Sequence, residues 1–133
     1  PYASLWLRGT TIPTTRLTAE VEHGLRDADV FPYAAQEYTE VTGAAEWEAT
    51  PKVVLGLMGK YRYSNYDEAR PTGATGIAPE EGDEDRYIAQ GSALYRLDSL
   101  TSLSLVQRYE EVDSDVGIEF EKNSTKLVLT KRF

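Results

Sequence analysis

The sequence predicts an all-β protein, an antiparallel transmembrane β-barrel of about seven strands, from three observations. Apolar and polar side chains alternate along seven runs, one of the two resulting faces is free of charge, and the connections between runs are alternately short and long. No run sustains a 3.6-residue apolar period, and the segments rich in Thr, Val, Tyr and Leu suit a pleated surface better than a helix.

In chain order the expected strands are 2–10, 15–27, 34–49, 52–65, 85–97, 100–112 and 117–133. The first, in PYASLWLRG, already alternates. TTIPTT, Ala49-Thr50-Pro51 and Asp98-Ser99 read as tight turns closing the first, third and fifth strands. The other connections, RDADVFPYA, the region 66–84 and EEVDSDVG, are longer and acidic or rich in Gly and Pro. Short turns at one end and long loops at the other are the arrangement of an outer-membrane barrel, with turns on the periplasmic side. Seven is an odd number, whereas bacterial single-chain barrels are usually even and must close without an edge. The expectation is therefore that residues 1–133 form a single barrel segment, the C-terminal wall of a larger or shared barrel.

The charge pattern supports the alternation. Odd positions within 17–25, 39–49, 53–63, 87–97, 101–109 and 125–129 comprise 31 residues without one Asp, Glu, Lys or Arg, although 27% of the chain is charged. The 25 intervening even positions hold ten: Glu20, Glu22, Glu40, Glu46, Glu48, Lys60, Arg62, Arg96, Arg108 and Lys126. Aromatics sort with the uncharged face. Tyr33, Tyr61, Tyr63, Tyr87 and Tyr109 fall near the long loops, and Trp47, Tyr95 and Phe133 near the short turns. Tyr87 and Tyr95 are separated by about 26 Å of strand, or about 20 Å of height at a tilt near 40°, close to an outer-membrane apolar band. Amphipathic rings at both rims are expected to be membrane-interface anchors.

Composition excludes other classes. A net charge of −8 argues against a nucleic-acid partner, which calls for clustered Lys and Arg. Without cysteine there is no disulfide scaffold, thiol nucleophile or cysteine zinc site. No stretch approaches the roughly 18 apolar residues of a membrane helix. A mean hydropathy of −0.46 is compatible with a barrel, whose strands show lipid only every second side chain. The chain opens on Pro1 without Met or a cleavable signal, and reads as a mature protein or part of a longer one.

The last nine residues, TKLVLTKRF, place Thr125, Leu127, Leu129 and Phe133 on one side and Lys126, Val128, Thr130 and Arg132 on the other. This ending resembles the C-terminal signature of Gram-negative outer-membrane β-barrel proteins. The cadence from Asp85 to Phe133 runs from a YRL strand and a short turn to a TSLSL strand ending in an aromatic and acids, then a Ser-Asp loop and a terminal strand. It is similar to the closing strands of the beta-barrel porin type, which includes barrels associated with exopolysaccharide export. Lys131 departs from the pattern, which more often has an aromatic or apolar residue there. The resemblance implies the outer membrane as location, recognition of Phe133 by the barrel-assembly machinery, and contact with outer-membrane lipid and lipopolysaccharide, and with other envelope or export proteins.

No catalytic constellation is evident, and neither an enzymatic activity nor a cofactor is expected. His23, the only histidine, falls on the uncharged face without evident partners, as a lipid- or neighbour-facing side chain. The acids Glu80, Glu81, Asp83, Glu84 and Asp85 around Gly82, with Asp113 and Asp115, lack EF-hand spacing and read as a solvated loop face rather than a metal site. The functional candidate is the even face. Its expected lumen-lining residues are Glu20, Glu22, Tyr38, Glu40, Lys60, Arg62, Arg96, Arg108 and Lys126, which either select solutes or pair with one another. The turn at Thr50-Pro51 is expected to set Glu48 opposite Lys52 and Glu40 opposite Lys60. The expected function is a porin-like passage for polar solutes, or the barrel component of an envelope export assembly. The alternatives are a small eight-stranded anchor or adhesin with a filled interior, and a soluble antiparallel β-domain.

Overall fold

A computed structural model describes residues 3–27, 33–69 and 82–132. Among these residues there is no helix. Seven strands, β1 (Ala3–Ile12), β2 (Thr15–Asp27), β3 (Tyr33–Thr50), β4 (Val53–Ala69), β5 (Gly82–Arg96), β6 (Thr101–Ser114) and β7 (Phe120–Lys131), form one antiparallel sheet in sequence order. Each strand contacts only its neighbours in sequence, so β1 and β7 are two open edges and the sheet is not closed.

The seven expected strands are present in the expected order, but several extend beyond their expected limits. β4 continues to Ala69, β5 begins at Gly82 and β6 runs to Ser114. The acidic run was expected as a solvated loop, yet Asp83, Glu84 and Asp85 lie within β5, as Asp113 does within β6. Local partners make this possible. Asn65 donates to Asp83 at 2.8 Å, the Tyr61 hydroxyl donates to Asp85, and Arg86 pairs with Glu84 at 3.2 Å. Beyond the end of β6, the Asp115 amide still reaches the Asp83 carbonyl at 3.0 Å. Glu80 and Glu81 lie outside the described residues.

The short turns are built by side-chain acceptors. Asp98 accepts from the backbone N–H groups of Leu100 and Thr101, each at 2.7 Å, and Thr50 Oγ1 accepts from Val53 N–H at 3.0 Å. Between β1 and β2 only Pro13 and Thr14 remain outside the strands. The expected pairing across the β3–β4 turn is corrected. A register shift between Glu48 and Thr50 sets Glu48 opposite Val54, Glu40 opposite Arg62, and Lys60 opposite Thr42. The bulge consumes residues that a simple turn would have paired.

Outside the two shifted turn-side ends, every ladder pairs even-numbered residues with even and odd with odd. Directly opposed residues share a face, so residue parity defines two continuous surfaces across all seven strands. The odd surface is apolar and open, with Leu57 and Leu127 each 67% exposed. Even-numbered residues supply all of the most buried side chains: Gln36, Ser64, Tyr66, Glu84, Val112 and Ser114. No second layer covers either surface among the described residues, so this burial reflects a sheet curled toward its polar side, where side chains crowd one another.

At the long-loop end the polar side is also capped locally. A Cβ added to Gly82 would meet Val116 Cγ1 at 2.2 Å, because the connection after β6 folds over it, whereas Gly59 on the apolar face has nothing within 4 Å. Gly82→Ala is expected to cost about 1–3 kcal/mol through overpacking, and Gly59→Ala less than about 0.5 kcal/mol, measured by denaturant unfolding followed through tryptophan fluorescence. Equal effects would show that Val116 does not pack on Gly82.

Hydrogen bonds from the Leu100 amide, then from the Thr101 side chain and amide, hold the Asp98 carboxyl below its ordinary value. Such a depressed value adds stability above the ordinary carboxylate range near pH 4, and that stability is lost as pH falls through the lower folded value. The stability gap between wild type and Asp98→Ala should therefore be wider at pH 7 than at pH 2–3; an unchanged gap across that range would rule out the charged turn.

Candidate functional site

The polar face is organised around Glu40. β3 places it opposite Glu22 on one side and Arg62 on the other. Its Oε1 receives Lys60 Nζ at 2.6 Å, and its Oε2 receives Arg62 Nε and Nη2 at 2.9 and 2.7 Å. The Glu40 and Arg62 side chains are only 13% and 18% exposed, so this cluster is well shielded from solvent. Glu22, the like charge opposite, is occupied by the Tyr38 hydroxyl. The Tyr38 ring in turn lies under two guanidinium groups, Arg26 at 5.2 Å and Arg62 at 5.7 Å.

Toward the long loops the network continues from Arg26 into neutral groups. Arg26 Nε donates to Gln36 Oε1 at 2.7 Å, and Gln36 Nε2 donates to the Tyr66 hydroxyl at 2.9 Å. Toward the short turns the pairs become looser: Arg16 meets Glu46 at 2.9 Å with both side chains half exposed. On β5 and β6 the bases pair within their own strand, Arg86 with Glu84 at 3.2 Å and Arg108 with Glu110 at 3.0 Å. A hollow of about 210 Å³ separates Arg16 and Glu46 from Gln90 and Ser92, where Gly56 leaves room between them.

The structure thus brings Glu22, Tyr38, Glu40, Lys60 and Arg62 into one cluster. The other expected lining residues occupy the same face but stand apart from it. Glu20 sits between Trp6 and Thr42, Lys126 opposite Val106, Arg108 between Gln90 and Ser124, and Arg96 donates to the Pro51 carbonyl at 3.0 Å. Sequence reasoning missed Gln36, Ser64, Tyr66, Glu84 and Arg86. Their even numbers were the available signal: Gln36, Ser64 and Arg86 lie within the expected strands, and for Tyr66 and Glu84 the same parity continues one residue past an expected strand end.

On the odd face, Trp47 and Tyr95 lie toward the short turns and Tyr61, Tyr63, Tyr87 and Tyr109 toward the long loops. The Tyr61 and Tyr87 rings are 5.0 Å apart. Three hydroxyls point toward carboxylates nearer the loops: Tyr61 to Asp85, Tyr63 to Asp83, and Tyr109 to Glu111 at 2.9 Å. Tyr33 contributes backbone to β3, and its side chain, like Phe133, lies outside the described residues. His23 has partners the sequence did not reveal. Its Nδ1 lies 3.0 Å from Thr39 Oγ1, directly across the ladder, and its Nε2 lies 3.3 Å from Glu37 Oε1. Among the described residues no group of three His, Cys, Asp or Glu side chains is placed to hold a metal ion.

The chain matches no known family model, no curated protein and no solved structure. The chemistry of the two faces is therefore the basis for a functional reading.

Removing Glu40 leaves Lys60 and Arg62 adjacent without their shared acceptor. Glu40→Ala is expected to destabilise the fold by about 1.5–3 kcal/mol, against under about 1 kcal/mol for Glu46→Ala at the exposed Arg16 pair. Chemical unfolding of the two variants checks the order, and a larger loss for Glu46→Ala would remove Glu40 from the centre of the network.

Proposed function

We propose that this chain is a wall of a Gram-negative outer-membrane β-barrel whose polar face lines a passage for polar solutes, either as a porin-like protein or within an envelope export assembly. The observation behind this reading is the inverted polarity of the sheet: its apolar face is open and its charged face is the crowded one. A soluble sheet buries its apolar face against another layer, whereas a barrel in lipid turns that face outward and closes around the polar one.

The dimensions agree. On β4 the odd-face residues from Val53 to Tyr63 are uncharged, a span of about 33 Å along the strand and about 25 Å in height at a tilt near 40°. The tyrosines stand at the upper end of this band, and beside and beyond them the odd-face acids Glu37, Asp83, Asp85, Glu111, Asp113 and Glu121. A rim of that kind suits lipopolysaccharide, whose phosphates are bridged by divalent cations.

Closure is constrained by strand direction. In an antiparallel sheet of seven strands, β1 and β7 point the same way, so joining them directly would require a parallel pair. An all-antiparallel barrel must therefore insert an odd number of further strands between these edges. One strand gives the eight-stranded anchor, and that second reading is favoured by the buried Gln36, Ser64, Tyr66 and Glu84, which begin to fill an interior. A larger odd complement gives an open lumen. Under either reading the partners are outer-membrane lipid, lipopolysaccharide and the assembly machinery at Phe133.

Planar-bilayer conductance of the detergent-purified native protein, with its intact mass, tests the proposal. Stable conductance steps and a mass well above 14.9 kDa are expected for the passage. A silent, membrane-extracted barrel would shift the assignment to the anchor. Leu57→Arg tests the membrane itself: at an exposed position near the middle of the band it should cost about 2–4 kcal/mol in a bilayer. A change within about 0.5 kcal/mol would place Leu57 in water.

A further inference from the structure

We propose that Arg62, Ser64 and Arg86 form an oxyanion-binding station on the polar face, able to hold a phosphate or similar group of a solute; the inference rests on the passage reading for how a solute arrives. Arg62 and Arg86 are directly opposed across the β4–β5 ladder. Like charges in that position repel unless something between them is negative. Each has one carboxylate already, but the two are not equally satisfied. Glu40 holds Arg62 through both Nε and Nη2, while Glu84 holds Arg86 through Nη2 alone. Arg86 Nε is enclosed and has no hydrogen-bond partner.

Ser64 provides an independent indication. It lies one pleat closer to the long loops than Arg62 on the same strand and face, opposite Glu84 and diagonal to Arg86. The residue is completely buried, and its Oγ also lacks a partner. A buried donor without an acceptor is costly and uncommon. Two of them beside an opposed arginine pair define a place where donors outnumber acceptors. A tetrahedral oxyanion supplies what is missing: negative charge between the guanidinium groups, with oxygens for Arg86 Nε and the Ser64 hydroxyl. Lys60 and Arg26, held nearby through Glu40 and Tyr38, extend the positive side of the face toward it. Glu22, Glu40 and Glu84 are the acids of the same neighbourhood; Glu40 is bonded through both oxygens, and Glu22 and Glu84 each through Oε1.

The test uses the detergent-purified native protein with inorganic phosphate as probe and chloride at equal ionic strength as reference. Phosphate is expected to raise the thermal unfolding midpoint of the wild type and of Lys52→Gln, a control in the β3–β4 turn. Its apparent affinity should fall about tenfold in Arg86→Gln, and by less in Ser64→Ala. Heat-modifiable migration establishes folding. Should Arg86→Gln not fold, Arg86→Lys keeps the charge without the Nε donor and should lose most of the preference for phosphate over chloride. A wild type indifferent to phosphate, or variants that respond as it does, would overturn the station. Bilayer currents on the same samples separate the two ideas. Silent protein with the variant-sensitive phosphate shift supports the station and overturns the passage. Conducting protein without the shift overturns the station alone, and absence of both overturns both.

Discussion

The unbroken antiparallel ladder is the constraint on which everything else in this molecule depends. With one layer and no helix among the described residues, cohesion comes from backbone hydrogen bonds between neighbouring strands and from side chains opposed across them. A slip of one residue in any ladder would send every side chain of one strand to the wrong face. The irregularities that do occur, after Gly9 and after Glu48, lie at short-turn ends, where they do not disturb the body of the sheet. The two faces stay separate for this reason, although no strand is strongly hydrophobic as a whole.

Charge on the polar face follows from which strands are neighbours. The central acid of β3 meets bases from β4, and the sharing of Glu40 between Lys60 and Arg62 ties these two strands in one arrangement. Beyond β4 this solution is no longer available, because the facing positions of β5 and β6 supply few acids. Arg86 and Arg108 instead take carboxylates two residues away on their own strands. Same-strand pairs leave the cross-strand positions unneutralised, so positive potential accumulates along the β4–β5 seam. Under the proposed passage, a face lined this way would orient a dipolar solute and favour its anionic end there.

Much of this was legible in the sequence because a period of two is a robust signal. Alternation in runs such as AEVEH at 19–23 and the turn chemistry of Pro13, Thr50 and Asp98 were enough to place all seven strands. Strand ends were less legible. Asp83, Asp85, Glu110 and Asp113 look like loop residues in isolation, and only their partners, Asn65 and Tyr61 among them, permit strand pairing to continue through them. Pairing details were hidden for a related reason: with the bulge beside Thr50, Arg62 and not Lys60 stands directly opposite Glu40, although Lys60 still reaches it diagonally, and nothing in the local sequence specifies a bulge. The partners of His23 were hidden because they depend on the β2–β3 register, which is set over the long connection and not by a tight turn.

The two edges complete the argument. Native soluble sheets protect their edges with short strands, bulges that twist them away, proline or inward-pointing charge. β7 spans 12 residues without a proline or a register shift against β6, and presents Leu127 and Leu129 on one side. β1 presents Leu5 and Leu7 on the same surface, equally open. Both edges therefore keep the two-faced alternation of the strands between them, and β7 bears few of the features that discourage pairing. Lys122 and Lys126 lie on the polar side, where a continuing wall would place them in the lumen instead of at a protected rim. Edges of this character could accept further strands of the same alternation, and in an all-antiparallel barrel their shared direction would make the number of such strands odd.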